Sequence, residues 1–232
     1  MAEAVGEWDK TRLVEERMKE HGAYDEPSRE SRYGEYAGRH VIGRDCRING
    51  GVYLGGGERE AIVVDDKKYG ELGDTYDELL RRREKAVKEG EAFKAGILTN
   101  VYELTMEKLP YRQDIVDDLV RDYGHDHKVS LTTFMNRGGG VCRHQALLAA
   151  YLLERLKDEG KINGKVSVDR NYVEGKGGHA WVRYENSAGT VFIIDPAQHY
   201  AGRLDDAGED QWFYERPNTV IDRIRNVFKR LL

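Results

Sequence analysis

The stretch Ala146–Leu153, reading ALLAAYLL, constrains this chain more than any other part of it. On a helix of 3.6 residues per turn those side chains point in every direction, so the helix must be covered on all sides. The neighbouring segments offer what is needed to cover it. Downstream, Lys165–Val173 alternates apolar and polar residues, as do His179–Tyr184 and Thr190–Ile194 around the turn residues Asn186–Gly189, a pattern of half-buried strands. Upstream, the chain from Thr75 is rich in Leu, Glu, Lys and Arg. There Phe93, Ile97, Val101 and Leu104 recur at helical spacing and predict a helix that stops before Pro110. A shorter helix fits Asp114–Tyr123, and Ser130 is placed to cap another that ends at Arg137–Gly140. Helices first and antiparallel strands later make an α+β domain.

The ends of the chain read differently. Val14 and Met18 suggest a first helix, residues 22–40 read as irregular polar surface chain, and Val41–Ile42, Val52–Leu54 and Ala61–Val64 read as short strands between glycines. Ile221, Ile224, Phe228 and Leu231 share one face of a predicted C-terminal helix over Thr219–Leu232. The composition changes near Gly73, which suggests an N-terminal extension over 1–72 and a main domain over 73–232.

Charge removes some functions. Of 232 residues 34% are charged, yet 37 Lys and Arg against 42 Asp and Glu leave a net charge of −5. That balance lacks the basic footprint of a nucleic-acid-binding domain. No apolar run approaches the ~18 residues of a membrane span, and the opening MAEAVGEWDKTRL is charged where a secretion signal would be apolar. With only Cys46 and Cys142, there is no disulfide framework. The expectation is a soluble, reduced, cytoplasmic protein.

Three polar residues fall where the pattern is most buried. Cys142 follows Gly138–Gly140 and opens the apolar helix, where unsatisfied N–H groups and the helix dipole favour a thiolate; the glycines would let a substrate backbone come close. If Glu185 lies opposite Gly189 across the turn, Trp181 faces Ile193 and His179 faces Asp195, side by side on one sheet face. A carboxylate there orients one imidazole nitrogen and leaves the other free for chemistry. Singly, each residue has a plain structural reading: a small core cysteine, a satisfied strand-end histidine, and an Asp-Pro turn starter ahead of Pro196. Their coincidence favours chemistry.

These residues resemble the transglutaminase-like superfamily of papain-like cysteine enzymes. The likeness rests on Gly140-Val141-Cys142 before ALLAAYLLERL, on His179-Ala180-Trp181, and on FIIDP with Asp195, and covers roughly residues 75–200. It implies a papain/transglutaminase-like core in which a buried helix bearing the nucleophile packs on an antiparallel sheet carrying the His and Asp. It implies Cys142 as nucleophile, His179 as base and acid, and Asp195 as orienter in acyl transfer through a thioester. Gly140 and Trp181 would border the substrate cleft. The Cys142 N–H is the first oxyanion donor, with Asn136 or Tyr111 as the second. No cofactor is implied, and the partner is a peptide or protein substrate.

Animal transglutaminases carry a Trp after the Cys, where this chain has Arg143, and no calcium-loop spacing appears. Those differences favour hydrolysis of a peptide or other amide bond over transfer to an amine. A third reading is a catalytically silent domain that uses its cleft, its first 70 residues or its last helix to bind a partner.

His125, His127, Cys142 and His144 lack the spacing of a zinc site, so no metal is expected. The glycines of 50–57 match no nucleotide-binding pattern. Arg81–Arg83 reads as a solvated helix face, and Cys46 as structural.

Overall fold

A computed structural model describes residues 33–55, 60–124, 127–173, 177–208 and 214–216. The helices expected near Val14–Met18 and over Thr219–Leu232, and His125, lie outside these residues. The described chain is α+β. Its centre is the helix predicted from ALLAAYLL, here Cys142–Asp158, in which every residue from Ala146 to Leu153 is 0% exposed.

In chain order the strands are β1 (Glu35–Tyr36), β2 (Arg39–His40), β3 (Gly51–Leu54), β4 (Ala61–Val64), β5 (Lys128–Ser130), β6 (Gly164–Val173), β7 (Gly177–Asn186), β8 (Val191–Asp195) and β9 (Tyr200–Arg203). The helices are α1 (Gly70–Lys88), α2 (Ile97–Lys108), α3 (Gln113–Tyr123), α4 (Leu131–Arg137) and α5 (Cys142–Asp158). Strands β6 to β9 form an antiparallel meander in sequence order. Helix α5 packs on β6, β7 and β8 of that sheet and is covered from elsewhere by α2, α4 and β4. Sheet and helices thus supply the enclosure that an all-apolar helix requires.

Upstream of α5 the structure departs from expectation in four places. The helix expected to run through Phe93 to before Pro110 starts only at Ile97, after α1 has ended at Lys88. The chain leaves helical geometry between Lys88 and Ile97, where Gly96 adopts φ +67, a left-handed conformation that favours glycine. Arg83 belongs to the interior instead of to a solvated face. It is 2% exposed, and its guanidinium donates to the carbonyls of Phe93 (3.1 Å) and Ala92 (2.9 Å) and to Asn100 Oδ1 (3.0 Å), stapling the interhelical connection. Residues 33–40 are not irregular surface chain, because Tyr33 and Tyr36 are buried and β1 pairs with β2. Finally, β5 pairs parallel with β4, which itself pairs antiparallel with β3.

That last pairing bears on the domain boundary expected at 72/73, which falls inside α1. Ile42, Ile48, Tyr53, Ile62 and Val64 belong to the same core as Leu147, Leu148 and Val182. The early strands and the helical region share one interior. Among the described residues, no helix is long and apolar enough to cross a membrane.

Candidate active site

The turn between β7 and β8 sets the site's register. Asn186 closes it. Its N–H donates to the Thr190 carbonyl at 3.0 Å, and its side-chain Oδ1 accepts from the N–H groups of Ala188 (3.0 Å) and Thr190 (2.9 Å). Asn186 therefore pairs with Thr190, and Glu185 with Val191 instead of Gly189. The expected register is off by two residues. Val182 faces Ile194, so Asp195 is next in line opposite Trp181 and His179 is its diagonal neighbour. A slip of two preserves which face each side chain occupies, and an imidazole can span a diagonal that shorter side chains cannot.

It does span it. His179 Nε2 lies 2.5 Å from Asp195 Oδ2. Asp195 is 0% exposed, and both its oxygens are engaged: Oδ1 accepts from the Gln198 N–H at 3.2 Å, and Oδ2 also accepts from the Tyr214 hydroxyl at 2.8 Å. Asp195 thus caps the one-turn 3-10 helix Pro196–Gln198, as its turn-starter reading expected, while it also meets the imidazole.

Cys142 begins α5 and remains partly exposed. As the first helical residue, its N–H has no intrahelical acceptor. With Nε2 committed to Asp195, the ring nitrogen left for the thiol is Nδ1. Burial pushes the Cys142 thiol pKa up, but the hydrogen bond and charge of His179, the Arg143 charge and the Ala180 N–H outweigh it, and the net shift is downward. Burial pushes His179 down, yet the hydrogen bonds to Asp195 and Cys142 carry it to about 10. Both shifts favour a thiolate beside an imidazolium.

The turn before Cys142 is held by a buried charge cluster that sequence reading did not anticipate. Arg143 Nε donates to Glu60 Oε1 at 2.7 Å, and Nη2 lies 2.6 Å from the same oxygen. His144 Nε2 lies 3.0 Å from it, in contact but off hydrogen-bond alignment. His144 Nδ1 accepts the Val141 N–H at 3.1 Å, capping α5 just ahead of the thiol. Burial opposes ionisation of Glu60, but His144 and Arg143 beside it bring its pKa down to about 2. Burial takes His144 down to about 4, so its imidazole is neutral.

The other expected site residues are distributed unevenly. Tyr111 forms a bridge with Gly140, two residues from the thiol, and is 55% exposed. Asn136 is exposed at the end of α4, with its amide 3.4 Å from Glu71 Oε1. Gly140 has its backbone engaged already, with its N–H on the Pro110 carbonyl and its carbonyl on the Arg112 N–H. A Cβ at Gly140 would sit 2.7 Å from His144 Cβ, so glycine there accommodates His144 and not an approaching substrate. Trp181 is 0% exposed and borders no open cleft. It packs with Ile193 and Tyr214 and supports the Asp195 side of the sheet. Two further residues attend the site: Tyr214, already described, and Asn171, 1% exposed and directly across β6–β7 from His179. The only sequence trace of Tyr214 is the aromatic run Trp212–Tyr214 beyond the last expected strand.

Comparison with protein families, with curated proteins and with solved structures finds no match in any of the three.

Proposed function

We propose that this protein is a cysteine-dependent acyl-transfer enzyme of the transglutaminase-like, papain-like kind that hydrolyses a peptide or other amide bond. The observation that carries the reading is His179 Nε2 at 2.5 Å from Asp195 Oδ2, on a ring whose charge in turn lowers the Cys142 thiol pKa. No metal or cofactor enters the chemistry proposed.

The resting pair is a thiolate and an imidazolium. The Cys142 sulfur attacks the substrate carbonyl carbon, a C–S bond forms, and the carbonyl electron pair moves to oxygen beside the Cys142 N–H. Collapse restores the carbonyl and breaks the C–N bond, and the leaving amine takes the proton from His179. Water then attacks the thioester and gives one proton to His179. Cleavage of the C–S bond releases the acid and returns the thiolate–imidazolium pair. Asp195 holds the ring throughout and keeps its negative charge opposite the imidazolium. Tyr111, beside Gly140, is the better placed second oxyanion candidate, since the Asn136 amide is used by Glu71.

A thiolate nucleophile works only while reduced, and both cysteines are free; a reducing cytoplasm suits this chemistry. The test is labelling of the whole chain with an acylating probe such as a peptide thioester, followed by mass mapping. An acyl adduct on Cys142 that hydroxylamine removes is expected. Absence of any adduct, or one on Cys46 instead, contradicts the reading.

A further inference from the structure

Ser167, Asp169 and Asn171 alternate along β6 and so share one face of the sheet, yet all three are buried. A buried polar row of this kind must be met by partners. Asn171 lies directly across from His179. Asp169 lies directly across from Trp181, against which Tyr214 packs edge-on. The row therefore borders the His179–Asp195 pair.

Asp169 and Ser167 are met by Arg216, two residues beyond Tyr214. The guanidinium makes a two-point contact with Asp169, Nε donating to Oδ2 at 2.9 Å and Nη2 to Oδ1 at 2.8 Å. A second two-point contact runs to Asp45, between β2 and β3, with Nη1 on Oδ2 at 3.2 Å and Nη2 on Oδ1 at 2.8 Å. Nη2 also lies 2.9 Å from Ser167 Oγ, which donates to Asp169 Oδ1 at 2.7 Å and accepts the Asp45 N–H at 3.1 Å. Arg44, 3.9 Å from Asp45, and Arg183 and Glu185 of β7 are further charges around this cluster. Burial opposes the charge of Arg216, but Asp169 and Asp45 hold its pKa above the ordinary value.

We propose, resting on the His179–Asp195 pairing of the proposed function, that Arg216 is a positioning residue for the active site: clasped between Asp45 and Asp169, it fixes the segment 214–216 so that the Tyr214 hydroxyl stays on Asp195 Oδ2. Two residues of chain span about 7 Å at most, so Tyr214 cannot move far while Arg216 is held. The rings of Trp181 and Tyr200 flank Tyr214 with centroids 5.4 and 5.7 Å away. Ring contacts tolerate sliding, whereas two charged forks fix a point of the chain. Tyr214 and Asp195 are both 0% exposed. With the phenol in place, water is kept from the carboxylate, and its attraction for the imidazolium is little screened. Once the clasp is lost the phenol shifts, water reaches Asp195, and the ion pair with His179 weakens. Through Asp45 the early part of the chain thus supports a site built on the late strands.

The test is histidine NMR titration of the whole chain, together with iodoacetamide rates at Cys142, in the wild type, Arg216→Gln, Arg216→Lys and Arg47→Gln. Arg216→Lys keeps a positive charge beside buried Asp169 and loses both forks, so it keeps the proposal testable if Arg216→Gln does not fold. In both variants the His179 pKa should fall from about 10 by about one unit or more, and Cys142 alkylation at pH 6.5 should slow several-fold. Removal of a positive charge would by itself raise His179, so a fall in Arg216→Gln reports lost position and not lost field. Arg47→Gln removes a cation that pairs with Asp158 at 3.2 Å and should change neither reading. A lowered denaturation midpoint with His179 and Cys142 unmoved in Arg216→Lys makes Arg216 merely structural and overturns the proposal. A rise of the His179 pKa in Arg216→Gln, or an equal fall in Arg47→Gln, overturns it too. A wild-type His179 that titrates near the ordinary 6.5 contradicts the proposed function as well, whereas a raised wild-type value unmoved in the Arg216 variants counts against the clasp alone.

Discussion

Tyr214 donates its hydroxyl hydrogen to Asp195 Oδ2 at 2.8 Å, the same oxygen that meets His179 Nε2. The carboxylate is thus fixed from the sheet side by an imidazole and from a later segment by a phenol. Tyr214 is wedged edge-on against Trp181 with ring centroids 5.4 Å apart, and two residues on Arg216 ties the same segment to Asp169. Replacing Tyr214 by Phe keeps the packing and removes one hydrogen bond to a charged acceptor, a loss of about 1.5–3 kcal/mol. Chemical denaturation should show that loss with an unchanged m-value; an unaltered midpoint would mean that the phenol does not hold the carboxylate.

Asp195→Asn removes the charge that raises His179. The imidazole pKa should fall from about 10 towards or below its ordinary 6.5, and the amide no longer selects the productive tautomer. Turnover of any substrate accepted by the wild type should fall by orders of magnitude. Histidine NMR titration across pH 5–11 checks the shift; an unmoved His179 resonance would contradict the pairing.

Acid should loosen the Glu60 cluster. The folded-state pKa of His144 is depressed to about 4, so the unfolded chain takes up a proton first, and stability present above pH 6.5 is lost as pH falls towards 4. Glu60, depressed to about 2, adds a second loss below pH 4.5. Melting temperature should therefore decline steadily from pH 7 to pH 4. Glu60→Gln leaves Arg143 buried without its counter-charge and should cost about 3–5 kcal/mol at pH 7, measurable by urea titration.

Ala149 is 0% exposed in the middle of α5. Ala149→Leu overpacks that interior at a cost of about 1–3 kcal/mol, and because the same helix carries Cys142, alkylation of the thiol should slow as well. Ala188→Leu in the exposed turn is the control and should change neither. A fully stable, fully reactive Ala149→Leu protein would show that the helix does not position the thiol.

The all-apolar run and the alternation of the late strands were enough to read α5 and strands β6 to β8, because both patterns are local, whereas the short edge strand β9 was not read. The face shared by His179 and Asp195 was legible for a further reason: the Asn186 turn moves the register by two residues, and only an odd slip would have separated them. Glu60 was not legible, since it reaches Arg143 across 83 residues through a parallel pairing with a three-residue strand. Nor was Arg83, whose neighbours in a charge run gave no sign that its partners would be carbonyls of the next connection. Gly140 and Trp181 look from the sequence like parts of a cleft, but each is claimed by packing, against His144 and against Tyr214.

The central claim is that Cys142 is held as a thiolate by His179. Alkylation of the two cysteines by iodoacetamide between pH 5 and 10, read by mass mapping, tests it most directly. The Cys142 thiol pKa is lowered and His179 stays protonated to about pH 10. Cys142 should therefore react much faster than Cys46 at pH 6.5, with its rate levelling off below the ~8.5 of an ordinary thiol. Equal rates at pH 6.5, or a Cys142 rate that keeps rising through pH 8.5 as a free cysteine's does, would contradict the account.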